Sequence, residues 1–305
     1  MTPLFYLTLF LAASFLMIWR LEAMAAQGME GTVLGTLIMP YCTGMGNLVF
    51  AWLMGAKGGS GTDVVTNCLV NNVTNLTLLI GLPVGIWGMR PGATLDRRAV
   101  VGTVLAVLLF TGAAWILPRG GKIDFGGGVI LIGLFLAWQA WHIIAAVRSG
   151  AGRGTRYAVL LVIDLALLLA GSYALYISTD WLTTWVSNIK TGFISAKYLG
   201  WLSGWLDVLP NGALAFYYGW KRQTEVVYTS QIGDGHICIP LCLGVFATFR
   251  PLDTGPLFQT GMLILAGSAL VHLLFVGIMG RLPRLAGWAL VAAYGVFLYT
   301  GLVKK

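Results

Sequence analysis

The chain predicts an all-α integral membrane protein of ten transmembrane helices arranged as two inverted five-helix repeats, and three observations predict it. Of 305 residues, 58% are hydrophobic and only 10% charged, and a mean hydropathy of +0.82 lies outside the composition of soluble domains. A hydrocarbon core about 30 Å thick needs roughly 20 apolar residues per helix, and the sequence divides into ten such stretches with little left over. The two halves also repeat each other at corresponding polar positions, which predicts one membrane unit built from residues 1–150 and 151–305.

The first five spans read Pro3–Trp19, Gly31–Ala56, Asp63–Trp87, Ala99–Leu117 and Phe125–Val147. The second five read Tyr157–Ile177, Gly192–Trp220, Thr224–Thr248, Pro256–Met279 and Leu282–Leu302. The first has no basic leader and no clear small-residue cleavage site, and Arg20 and Glu22 follow it directly, so it reads as a retained helix. Several of the twelve tryptophans, among them Trp19, Trp87, Trp115, Trp181 and Trp185, fall near span ends and read as interface anchors.

A net charge of +8 does not point to nucleic acid, because in such a chain the basic residues mark loops. With ten helices both termini share a side. That side collects eight Lys and Arg residues and the opposite side eleven, the central loop "RSGAGRGTR" among them. The asymmetry predicts a multi-pass protein with both termini extracytoplasmic.

Cys42, Cys68, Cys238 and Cys242 all fall inside predicted helices without zinc-site spacing, and read as small buried hydrophobes. "KGGSGTD" lacks the order of a phosphate loop. No Ser-His-Asp, metalloprotease or haem spacing occurs, so the sequence predicts neither an enzyme nor a bound cofactor.

At a spacing of 164 residues Asn47 meets Asn211, Ala51 meets Ala215 and Gly55 meets Gly219; after a one-residue shortening, Thr66 meets Thr229 and Gly81 meets Gly244. An odd number of helices per half makes the second copy enter the membrane from the opposite face, the inverted repeat of secondary transporters, whose substrate sites lie near the midplane. "MPYCTGMGNL", "DVLPNGAL" and "IGDGHICIP" place prolines and glycines in mid-span, and predict interrupted helices whose free carbonyls line a protein or water cavity.

At these residues the pattern resembles the cation/calcium exchanger superfamily, membrane antiporters that include sodium/calcium exchangers. Each α-repeat of that family is similar to G-T-S-x-P-E-L on one helix and G-N-x-x-G-S-N-x-x-N on the next. Here the first repeat reads "CTGMGNL" and "TNCLVNNVTNLTLLIG", keeping Thr43, Leu48, Asn67, Asn72 and Asn75. The second reads "LDVLPNG" and "TSQIGDGHICIPLCLG", keeping Pro210, Gly233 and Gly244. The resemblance implies a ten-helix fold, alternating access, and inorganic cations (Na⁺, Ca²⁺ or H⁺) as the transported partners.

The departures locate the chemistry. Both glutamates that the resemblance would supply as central ligands are amides, Asn47 and Asn211, while Asp207 and Asp234 stand at hydroxyl positions and Cys238 at an Asn/Asp position. A cation stripped of water wants hard oxygens with carboxylate among them. Asp207 and Asp234, with Asn47, Asn72, Asn75, Asn211 and Thr43, supply such a set, including a metal pair of carboxylates from one half of the chain. An aspartate in mid-membrane costs about 2.5–3.5 kcal/mol on insertion scales, which favours a role for both.

Asn67, Asn71 and Asn75 are four apart and share one helix face. Opposite Asn47, that stripe would turn carboxamide oxygens toward a central cavity; the alternative is interhelical glue worth about 0.6–2 kcal/mol each, and Asn71 is the member that glue explains as well. His236, two residues from Asp234, is a candidate for proton coupling or a satisfied structural histidine. His142 and His272 read as helix contacts, and Asp164 as a partner for a loop arginine. The function expected is secondary-active cation antiport through an altered midplane site. The alternatives are a non-transporting binding or assembly protein on the same fold and a transporter of a small organic solute.

Overall fold

The computed structural model describes residues 2–26, 39–88, 97–149, 158–222, 224–233 and 235–304. Helices dominate it because a backbone in hydrocarbon must satisfy its own N–H and C=O groups. The first repeat contributes α1 (Pro3–Ala26), α2 (Met39–Lys57), α3 (Gly61–Trp87), α4 (Arg97–Ile116) and α5 (Phe125–Ser149). The second contributes α6 (Ala158–Ser187), α7 (Leu199–Trp220), α8 in two described pieces (Thr224–Gly233 and 235–249), α9 (Pro256–Ile278) and α10 (Arg284–Val303). A two-residue ribbon pairs β1 (Lys122–Ile123) antiparallel with β2 (Leu252–Asp253), and Lys122 Nζ bonds Asp253 at 3.2 Å.

The packing shows the pseudo-twofold relation. Helix α3 lies along α7 as α8 lies along α2, and α3 meets α10 as α8 meets α5; α1 pairs with its counterpart α6, and α4 with α9. Two glycine crossings repeat the same symmetry. A Cβ built at Gly81 would stand 2.7 Å from the Gly287 carbonyl oxygen, and one at Gly244 would stand 2.9 Å from that of Gly128. Only hydrogen at these positions lets the helix pairs approach so closely.

Helices α3 and α8 are the centre. Of their apolar windows 83% and 76% respectively are buried inside the protein, against 28% for α1, α5 and α10, whose outer faces carry exposed residues such as Leu4, Ile130 and Leu285 for lipid. One large apolar core joins α2 through α5 with α7 through α10 and takes in Val186 at the end of α6, whereas Phe10, Ala13 and Met17 of α1 form a separate small cluster with Leu168 and Leu175 of α6. Inside that pair Arg20 Nη1 meets the buried Asp164 Oδ1 at 3.3 Å, so the arginine that partners Asp164 comes from the end of α1.

Three expectations need correction. Helix α2 is unbroken across "MPYCTGMGNL" and α7 across "DVLPNGAL"; Pro210 removes the donor that would reach Leu206 O, but the flanking turns and packing hold the helix together. The central helices are interrupted by π-helical turns at Thr74–Leu79 of α3 and Cys238–Cys242 of α8, at repeat-related positions, the second beginning inside the predicted "IGDGHICIP"; α9 and α10 carry further π-turns at Leu273–Ile278 and Tyr299–Val303. Helix α7 starts at Leu199 and not at Gly192, which has φ +88°, while α6 runs on to Ser187 because a helix need not stop where the bilayer does. The second span is described only from Met39.

Candidate ion site

Of the polar residues predicted to line a site, Asn67 and Asn71 join α3 to α7 and α8, and Asp207 of α7 reaches α2. Asn67 on α3 donates from Nδ2 to Ser203 Oγ at 3.0 Å and to Asp207 Oδ2 at 2.9 Å, both on α7. Asn71, one turn on, donates to Cys238 Sγ of α8 at 3.2 Å, and accepts at Oδ1 from Asn75 Nδ2 at 3.0 Å. Asn72 donates back to the Cys68 carbonyl at 2.9 Å. The stripe is therefore real geometry, and it ties the central helix of one repeat to two helices of the other.

The direction of these bonds is the chemical point. A carbonyl or an ionised carboxylate only accepts, so Asn72 and Asn67 must present nitrogen to them and keep oxygen for something else. Asn67 Oδ1 and Asn72 Oδ1 are buried without a protein partner among the described residues, as are both carboxamide atoms of Asn47. A buried amide oxygen left alone costs about 1–3 kcal/mol. A dehydrated cation would satisfy several at once.

Asp207 is 7% exposed. Its carboxylate packs against Gly46 on α2, where a Cβ would collide with Oδ1, so this glycine, the neighbour of Asn47 in sequence, is what lets the acid approach α2. Asn211, one turn beyond Asp207, is buried; its backbone carbonyl accepts from Gln231 Nε2 at 3.3 Å. Gly46, Asp207, Pro210 and Asn211 enclose, with Phe10 and Ser14 of α1, a cavity of about 10 Å³, enough for one water-sized species. A second cavity of about 390 Å³ opens on the other side of Phe10 and also has Asp207 in its wall.

Asp234 and the side chain of Thr43 lie outside the described residues, so nothing is placed for either. Gly235 brings α8 close to the stripe: a Cβ there would stand 3.4 Å from Asn72 Oδ1. His236 faces α4 and α5, its Nε2 3.0 Å from the Thr103 carbonyl and its ring edge-on to Phe110 and Trp138. His272 Nε2 sits 2.9 Å from the Leu76 carbonyl, inside the π-turn of α3. His142 packs edge-on to Trp138. Cys68, Cys238 and Cys242 are buried and not joined in disulfides among the described residues.

Sequence reading missed Ser203, Gln231 and Phe10. Ser203 precedes Asp207 by one turn and so shares its face, a signal the sequence did carry. Phe10 carried none, since its place beside Asp207 depends on how α1 docks.

Comparison with known proteins fits this geometry. No curated protein matches the chain. Among solved structures, that of the sodium-calcium exchanger NCX_Mj soaked with 2.5 mM Na⁺ and 1 mM Sr²⁺ superposes with a TM-score of 0.70 at 20% identity, covering 96% of this chain and 95% of that one. The same exchanger soaked with 2.5 mM Na⁺ and 0.1 mM Ca²⁺ gives 0.69 at 20% identity over 98% and 96%. The family profile described as sodium/calcium exchanger protein matches residues 2–143 and 163–303, one segment in each half. With the twofold pairing of its helices and nearly its whole length inside that profile, the chain belongs to the sodium/calcium exchanger protein family.

Proposed function

We propose that the protein is a secondary-active cation antiporter that works by alternating access through an altered midplane site. The observation that carries the reading is the set of buried carboxamide oxygens at Asn47, Asn67 and Asn72 without a protein partner among the described residues, with the nitrogens of Asn67 and Asn72 spent on Asp207 and the Cys68 carbonyl and both amide atoms of Asn47 left over. Asp207 and Asp234 neutralise the cation; Asn47, Asn72, Asn75, Asn211 and Thr43 complete its shell, Asn67 orients Asp207, and Asn71 ties α3 to α8. Sodium, calcium and protons are the candidate ions, His236 being the group for the last. The α1–α6 pair slides on the larger core, with both termini on the extracytoplasmic side.

The test is ion flux in proteoliposomes under an imposed Na⁺ or pH gradient, following Ca²⁺, Na⁺ and H⁺. Wild type should exchange ions, and Asp207→Asn and Asp234→Asn should each lower the rate at least about tenfold, the scale of one charged ligand. His236→Gln should alter only a proton-coupled component. A folded, monodisperse wild type that moves no ion would end the antiporter reading in favour of a binding or assembly role.

A further inference from the structure

The 390 Å³ cavity between α1, α6 and α7 is not lined like an ion path. Its walls are the hydrocarbon side chains of Leu4, Leu7, Leu182, Leu202 and Leu206, with Thr179, Thr183 and Ser203 as minor polar additions and one acid, Asp207, at the deep end. Asp207 lies eight residues into α7, about 12 Å from its start at 1.5 Å per residue, whereas Pro3, Trp185 and Ile194 mark the mouth on the face where both termini lie. Volume and lining match small-molecule sites, which are mostly apolar with a few placed polar groups. An inorganic cation gains nothing from such walls, since leucine methyls replace none of its water. A neutral solute gains at most a hydrogen bond from the carboxylate, without the ion pairing.

We infer that this cavity binds an organic ammonium: a protonated amine whose nitrogen meets the Asp207 carboxylate and whose apolar body lies among the leucines. Thr179 supports the assignment, because its hydroxyl is buried in the wall with no partner among the described residues and offers an acceptor to an N–H placed along the path. The inference rests on Asp207 as the cation ligand of the proposed antiporter. It adds that an amine held there covers the same acid and competes with the inorganic ion.

The test is calorimetric binding to the full chain in lipid nanodiscs, where acyl chains already compete for the cavity. The probes are 4-phenylbutylamine, protonated at pH 7, and its neutral isostere 4-phenylbutanol. The amine should bind at least about tenfold tighter, the margin of one charge-assisted contact, and Asp207→Asn should erase that margin. Leu182→Trp and Leu202→Trp, which fill the cavity from two different helices, should each weaken the amine, with helical content by circular dichroism confirming the fold. Equal binding of amine and alcohol, amine binding untouched by both tryptophans, or no amine binding would overturn the inference. If wild type exchanges inorganic ions and binds no amine, the cavity assignment fails and the antiporter stands. If the amine binds and no ion moves, the reverse holds.

Discussion

In the proposed antiporter, Asn47 and Asn211 are where a single atom would decide the ion. An amide oxygen and a carboxylate oxygen have similar reach, so replacing a carboxylate by asparagine keeps the cage while removing a charge, and affinity for a divalent ion falls with ligand charge more steeply than for a monovalent one. Asn47→Asp, at a position fully buried on α2, should therefore raise Ca²⁺ affinity relative to Na⁺ by at least about tenfold, one charged contact's worth. Competition of Ca²⁺ against ²²Na⁺ binding measures it, and an unchanged ratio would remove Asn47 from the shell. Gly46 next to it gives a steric test. Gly46→Ala puts a Cβ into the Asp207 carboxylate and should lower ion binding, whereas Gly295→Ala, with nothing within 4 Å of its Cβ, should leave it intact. Equal effects would mean that the Gly46 contact positions nothing.

At the scale of the helix, the glycine crossings are the joints of the two repeats. Gly81→Val sets a side chain against the Gly287 backbone, and Gly244→Val sets one against Gly128. Overpacking of this kind costs about 1–3 kcal/mol, and thermal unfolding in detergent should show similar losses for the two because the joints are symmetric; a loss in one alone would break the proposed equivalence. The spans were legible in the sequence for a simple reason, that lipid demands long apolar runs. The kinks were not. Proline and glycine in "DVLPNGAL" look like a break, yet α7 passes through, while the π-turn at Thr74–Leu79 is spelled by residues with no helix breaker among them. Its Leu76 carbonyl is met by His272 from α9, a partner 196 residues away that no local pattern announces. For the candidate site, the four-residue spacing of Asn67, Asn71 and Asn75 revealed the face. Which amide atom points at protein and which is kept was decided by acceptors on α7 and by the helix's own carbonyls.

The whole molecule divides into a large core and the α1–α6 pair, and a buried ion pair lies inside the smaller unit. Arg20 and Asp164 are taken out of water on α1 and α6, so removing one leaves an uncompensated charge, while replacing both by apolar residues costs little. Asp164→Leu alone should destabilise by about 3–5 kcal/mol, and Arg20→Met/Asp164→Leu should recover most of it in the same thermal unfolding assay. If the pair moves as one body, its internal bond is never broken during transport, and the double variant should carry ions at a rate close to wild type. A contact made across the moving boundary behaves differently. Lys57 at the end of α2 bonds Asp180 on α6, joining the core to the pair proposed to move at the face where both termini lie, and a bond that would have to open for α6 to slide stabilises one state over the other. Lys57→Gln should therefore change the fraction of protein with that face open, read as altered accessibility of a cysteine introduced at the buried, cavity-lining Thr179, with little change in unfolding temperature. An effect of the Arg20/Asp164 double variant on that accessibility as large as that of Lys57→Gln would mean that α1 and α6 do not travel together.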